Sequence, residues 1–85
     1  MPPLKEIVVL DDHKMFSIGL AQVLQSQLPT THISICNTYE QLEEYTLHHQ
    51  PDAAILDIEL RGIRYNGLDA CRLLHRLYPR CIRIL

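Results

Sequence analysis

Two apolar runs in the sequence end in carboxylates. In EIVVLDDHKMF, residues 6–16, Ile7 to Leu10 give way to the adjacent acids Asp11 and Asp12. In AAILDIEL, residues 53–60, four apolar residues precede Asp57. A carboxylate carried into apolar surroundings without a partner is costly. Several in one cleft repel and raise each other's pKa unless a positive charge sits among them. A hard divalent cation meets that need, because Mg2+ takes oxygen ligands and binds through one or two carboxylates with water completing its shell. Such an ion also offsets phosphate charge, and a carboxylate can itself attack phosphorus to give an aspartyl phosphate. The same acids can instead cap helices or stand in solvent, and residue chemistry alone leaves both readings open. The loop DDHKM has no glycine, so a Gly-rich nucleotide cradle, and dinucleotide binding with it, is excluded.

The elements that must position these acids can be read from periodicity. Lys5 to Asp11 reads as a short strand, apolar on both faces, as in a buried parallel sheet. Met15 to Leu28 reads as a helix with Phe16, Leu20, Val23, Leu24 and Leu28 on one side, ended by Pro29. HISIC, 32–36, is a second strand. Thr38 and Gln41 match a capping box for a helix that runs to about His49 and closes before Pro51. DAAILDIE is a third strand, LRGIRYNG a loop, and Leu68 to Tyr78 a helix with Leu68, Cys71, Leu74 and Leu77 or Tyr78 inward. Pro79 stops it and CIRIL begins a fourth strand.

The order βαβαβαβ with short connections predicts an α/β fold, a parallel sheet with right-handed crossovers and helices on both faces. Ligands of such sheets sit beyond the carboxyl ends of the strands, near the reversal of strand order. Asp11, Asp12 and Asp57 all fall at such ends.

Composition limits the alternatives. Eighty-five residues make at most one small domain, and 47% hydrophobic with 21% charged residues is a globular balance. No apolar run reaches the ~18 residues of a membrane span, and the N-terminus lacks a signal-peptide pattern. The expectation is a cytoplasmic protein with no membrane association. Cys36, Cys71 and Cys81 are an odd, unclustered set, read as small buried thiols rather than disulfides or a zinc site. His48 and His49 are adjacent, do not share a helix face, and read as a solvated helix end. The net charge of −2 hides an asymmetry: residues 1–60 carry −7, while residues 61–85 hold all six arginines and carry +5. Because Arg72 and Arg76 are spaced i,i+4, a solvated helix face is preferred over a nucleic-acid surface.

With IVVLDDH at the first strand, AAILDIEL at the third and GLDACRLL opening the third helix, the chain resembles the receiver domain of two-component response regulators. DDHKMFSIGLAQVL is most similar to the regulators that carry a C-terminal helix-turn-helix DNA-binding domain. The resemblance implies a flavodoxin-like sheet, incomplete because the sequence stops at Leu85 within the fourth strand. It implies Asp57 as phosphoacceptor from a histidine kinase, with no catalytic residue beyond it. Mg2+ would be held by Asp11, Asp12, Asp57 and the main-chain carbonyl of Glu59. DNA would be contacted only through a C-terminal domain outside this sequence, and the chain would not be an enzyme in its own right. Two features depart from the family pattern. Arg61 stands where receivers usually have proline, and the spacing from Asp57 to Gly67 is about two residues longer than usual for the family. The hydroxyl and lysine switch residues fall outside the sequence.

Two other functions compete with this one. A receiver-like interaction module would keep the fold without accepting phosphate. A phosphohydrolase of the dehalogenase-like kind needs Asp-x-Asp, whereas Asp11 and Asp12 are adjacent. A fourth strand without a further neighbour, and a first helix with uncovered apolar residues, also predict self-association through the Cys81–Leu85 edge.

Overall fold

The computed structural model describes residues 4–57 and 65–85. The expectations for the Glu59 carbonyl and for Arg61 lie outside the described residues. The elements run β1 (Glu6–Leu10), α1 (Lys14–Gln27), β2 (His32–Cys36), α2 (Tyr39–His48), β3 (Ala53–Leu56), α3 (Gly67–Leu77) and β4 (Ile82–Ile84). Every strand pair is parallel, in the order β2-β1-β3-β4. This is the expected flavodoxin-like arrangement. The central strand β1 registers Leu10 against Cys36 on one side and Leu56 on the other.

Side-chain alternation along β1 explains why its run is apolar throughout. Val8 and Leu10 enter a core with Ala54 and Leu56 of β3, Leu42 and Tyr45 of α2, and Ala70, Leu73 and Leu74 of α3. Ile7 and Val9 are buried as well but belong to the opposite face, where α1 lies against β1 and β2. That face is thinly covered. Ser17 is the one buried residue of α1, while Phe16 and Val23, expected on its inner stripe, are 60% and 59% exposed.

Helix starts follow side-chain chemistry. Thr38 caps α2 by accepting a hydrogen bond from the Gln41 N–H, but the Gln41 side chain accepts from the Asn37 N–H, one residue earlier than a capping box requires. A full box stands instead at α3, where Asn66 Oδ1 accepts from Leu68 and Asp69 and the Asp69 carboxylate accepts from the Asn66 N–H. The inward stripe of α3 holds as expected at Leu74, with Cys71 and Tyr78 packed against the core, and differs at its other positions. Ala70, Leu73 and Leu74 are buried, whereas Leu68 and Leu77 are each 43% exposed. Tyr78 closes the helix, and its hydroxyl donates to the Thr46 carbonyl.

Cys36 and Cys81 are buried and Cys71 half-buried, all three as free thiols. Burial pushes the Cys36 thiol from 9.0 up to about 11 and raises Cys81 in the same direction. Of the two adjacent histidines, His48 is solvated beside Glu44. His49 is only partly so, its side chain 40% exposed as it folds back over Tyr45 toward β1. No described helix is long and apolar enough to cross a membrane.

Candidate functional site

The acids at the strand ends are fixed by backbone hydrogen bonds that continue the sheet ladders. The Asp11 N–H donates to the Cys36 carbonyl at 3.0 Å, and the Asp57 N–H donates to the Leu10 carbonyl at 2.9 Å. Both residues therefore hang from the end of β1, one covalently and one through its neighbour strand. Connections from β1 and from β3 leave toward opposite edges of the sheet, so this end is the reversal point at which α/β sheets bind ligands.

The side chains converge there. Asp11, Asp12, His13 and Asp57 each place one ligand atom within 4.8 Å of the others. The carboxylates of Asp11, Asp12 and Asp57 are 11%, 18% and 18% exposed, so they are mostly shielded yet open on one side. Asp57 and Asp11 also line a cleft of about 300 Å3 with Phe16, Leu20, Ile55 and Leu85.

The turn that carries the acid pair is tied down on both flanks. Asp11 Oδ1 accepts the backbone N–H of His13 at 2.8 Å. On the other side, Asn37 Nδ2 donates to the Asp11 carbonyl at 2.7 Å and to Ser17 Oγ at 3.4 Å. Ser17 Oγ in turn donates to the Lys14 carbonyl, which joins the loop after β1 to that after β2.

Sequence reasoning had grouped Asp11, Asp12 and Asp57, and the structure brings them together. It had not included His13, whose Nδ1 stands 2.8 Å from Asp11 Oδ1, 3.1 Å from Asp12 Oδ1 and 3.8 Å from Asp57 Oδ2. Nor had it included Asn37. The adjacency of His13 to the acid pair was a legible signal; the reach of Asn37 across from β2 was not.

Clustered oxygen donors with an open side suit a hard cation such as Mg2+ or Ca2+ better than a soft one. Neither Gly-rich backbone nor a thiolate lies among these four residues.

Known proteins resemble this chain in sequence and fold. Residues 7–85 match the response regulator receiver domain family. The transcriptional regulatory protein DegU of Brevibacillus brevis is 28% identical over 74 residues, which are 87% of this chain and 30% of that protein. The chain thus spans under a third of that relative's length. Among solved structures, a CheY-like receiver domain from Methanospirillum hungatei superposes with a TM-score of 0.82 at 21% identity, over 94% of this chain and 61% of that one. A response regulator from Burkholderia pseudomallei superposes with a TM-score of 0.81 at 19% identity, over 93% of this chain and 44% of that one. That structure holds a phosphorylated aspartic acid, a calcium ion and citrate. With a family match over nearly its whole length, the chain belongs to the response regulator receiver domain family.

Proposed function

We propose that this chain is a phosphoacceptor module of two-component signalling, in which Asp57 takes a phosphoryl group from a phosphohistidine of a histidine kinase. The observation that carries the proposal is the placement of the Asp57 carboxylate at the end of β3, within 4.8 Å of the Asp11 and Asp12 ligand atoms. In the transfer, an Asp57 oxygen bonds to phosphorus as the phosphorus–nitrogen bond breaks, and the imidazole of the donor leaves. Asp11, Asp12 and Asp57 would hold Mg2+, together with the main-chain carbonyl of Glu59. A cation bound there supplies the positive charge that the transferring phosphoryl oxygens need. Asn37 and Ser17 keep the Asp11 turn in place.

The chain is read as a signalling acceptor rather than an enzyme that turns over a substrate, and as cytoplasmic. Likeness to a transcriptional regulatory protein supports control of transcription, with DNA contacted by a further C-terminal domain. A second copy of the chain is a further partner, because Ile84 and Leu85 at the β4 edge are 52% and 58% exposed beside the open face of α1.

The test is incubation with acetyl phosphate and Mg2+, followed by intact mass and peptide mapping. Gain of one phosphoryl group on Asp57, lost in Asp57→Asn, is expected. An unlabelled wild-type chain that remains folded would favour the interaction-module reading, and labelling of Asp11 instead would favour a hydrolase-like nucleophile on β1.

A further inference from the structure

At the opposite end of the sheet from Asp57, a second group of metal-ligating side chains comes together from three separate elements. Glu6 opens β1, His32 opens β2 as its register partner, and His49 is the C-cap of α2. Their ligand atoms all lie within 4.8 Å of one another. Glu6 Oε1 is 2.8 Å from His49 Nδ1 and 3.4 Å from His32 Nδ1, so both imidazoles aim the same ring nitrogen at one carboxylate oxygen.

We propose that Glu6, His32 and His49 form a binding site for a divalent transition-metal ion of the Zn2+ class. The donor set is two imidazoles and one carboxylate, which is the three-ligand pattern of open zinc sites with a fourth position left to water. Bonds of about 2.0–2.2 Å in a tetrahedron put neighbouring donors roughly 3.4 Å apart. The two Glu6 contacts lie at or below that spacing, and the widest separation needs a small turn of His32, whose side chain is 62% exposed. In the metal-bound state each imidazole offers its Nδ1 lone pair and carries its proton on Nε2.

Supports around the donors favour a built site over a chance encounter. The His49 ring stacks on Tyr45 at 4.9 Å with an interplanar angle of 11°, and His32 stacks on His49 at 5.8 Å. Tyr45 is itself held in the core, so one imidazole is oriented before any ion arrives. The Glu6 backbone is fixed as well, because the Asp52 carboxylate accepts the N–H groups of Lys5 and Glu6 at 2.8 and 3.0 Å. Glu6 is 23% exposed in its side chain, against 40% for His49, which leaves an accessible rim over a shielded carboxylate. Two imidazoles to one carboxylate set this site apart from the cluster at Asp57, which offers three carboxylates and one imidazole. Mg2+ prefers the second, and Zn2+ the first.

The experiment is titration of the chain with Zn2+, read by calorimetry and by NMR of the histidine ring resonances, with Cys71→Ser as background to remove the half-buried thiol. Expected are a saturable site that shifts the His32 and His49 rings together, resolved from any Zn2+ taken up by the acid cluster at Asp57, and at least a tenfold loss of its affinity in His32→Gln/His49→Gln. Asp12→Asn should leave that affinity unchanged. Far-UV circular dichroism and Asp57 labelling report whether the double variant is folded, and the ring shifts in the parent chain need no variant. Undisturbed His32 and His49 resonances at saturating Zn2+, or equal affinity in a folded double variant, would overturn the proposal. Because Asp57 labelling is measured separately, its failure leaves this result readable.

Discussion

His13 Nδ1 lies 2.8 Å from Asp11 Oδ1, so an imidazole stands over the carboxylate that a cation would use. His13 comes from the same turn as the acids, and its side chain is 55% exposed. The contact is therefore a solvent-screened one, of the kind worth about 0.2–1 kcal/mol. Cation binding has to displace it.

Replacing His13 with alanine should therefore tighten Mg2+ binding, by up to about fivefold on that scale. Titration of the two proteins at equal ionic strength checks it. Weaker binding in His13→Ala would show that the imidazole orders the acids more than it competes for them.

Removing Asp12 should act in the opposite sense. The variant Asp12→Ala loses one oxygen donor and one of the charges that make the cluster attractive to a cation. Affinity for Mg2+ should fall by about tenfold or more, as expected where only a few protein ligands hold the ion. Calorimetric titration of wild type and variant decides it, and equal affinities would show that the acids do not act as one site.

Alkaline pH should weaken the fold through its buried thiols. Burial raises the Cys36 pKa from 9.0 to about 11, so the unfolded chain releases that proton before the folded one does. The contribution is fully present below pH 9.0 and is lost as pH rises toward about 11. Burial pushes Cys81 and Tyr45 upward as well, which adds to the same trend. Urea midpoints should decline across that window, and Cys36→Ala should flatten the decline.

The open face should make the 85-residue chain associate. Ile84 and Leu85 of the β4 edge and Phe16 and Val23 of α1 are all more than half exposed, and among the described residues β4 pairs with β3 alone. Sedimentation at micromolar concentration should show species larger than a monomer. Ile84→Lys, which charges the edge, should shift the distribution toward the monomer; a folded chain that is purely monomeric before substitution defeats the argument.

Periodicity carried the fold well because β1 is buried on both faces and the prolines and caps sit at element ends. Each expected element is present, with ends within about one residue of the expected ones, apart from the expected end of the third strand at Glu59, which lies outside the described residues. The acid cluster was legible for a related reason: in a parallel sheet, runs that end in Asp place those acids at the same edge. Side-chain orientation on the helices was less accessible. Leu68 looks like a core residue by type, yet in α3 its neighbours Gly67 and Ala70 are buried and it is not. His49 looked solvated beside His48, because nothing local reports that Tyr45 and Glu6 would draw its ring inward. Contacts such as Asn37 to Asp11 join residues brought together only by the β1–β2 pairing, and periodicity carries no signal for them.

The hydrogen bond from the Asp57 N–H to the Leu10 carbonyl ties the chemistry to the assembly of the sheet. A slip of β3 by a single residue along β1 would carry Asp57 about 3.3 Å along the strand and reverse which face each of its side chains meets. That displacement is as large as the spacing between neighbouring ligands of one ion, so no functional site survives a misregistered sheet. Local helix formation cannot supply the alignment, since it joins parts of the chain far apart in sequence. The acid cluster is thus a nonlocal property, complete only once β3 has locked beside β1.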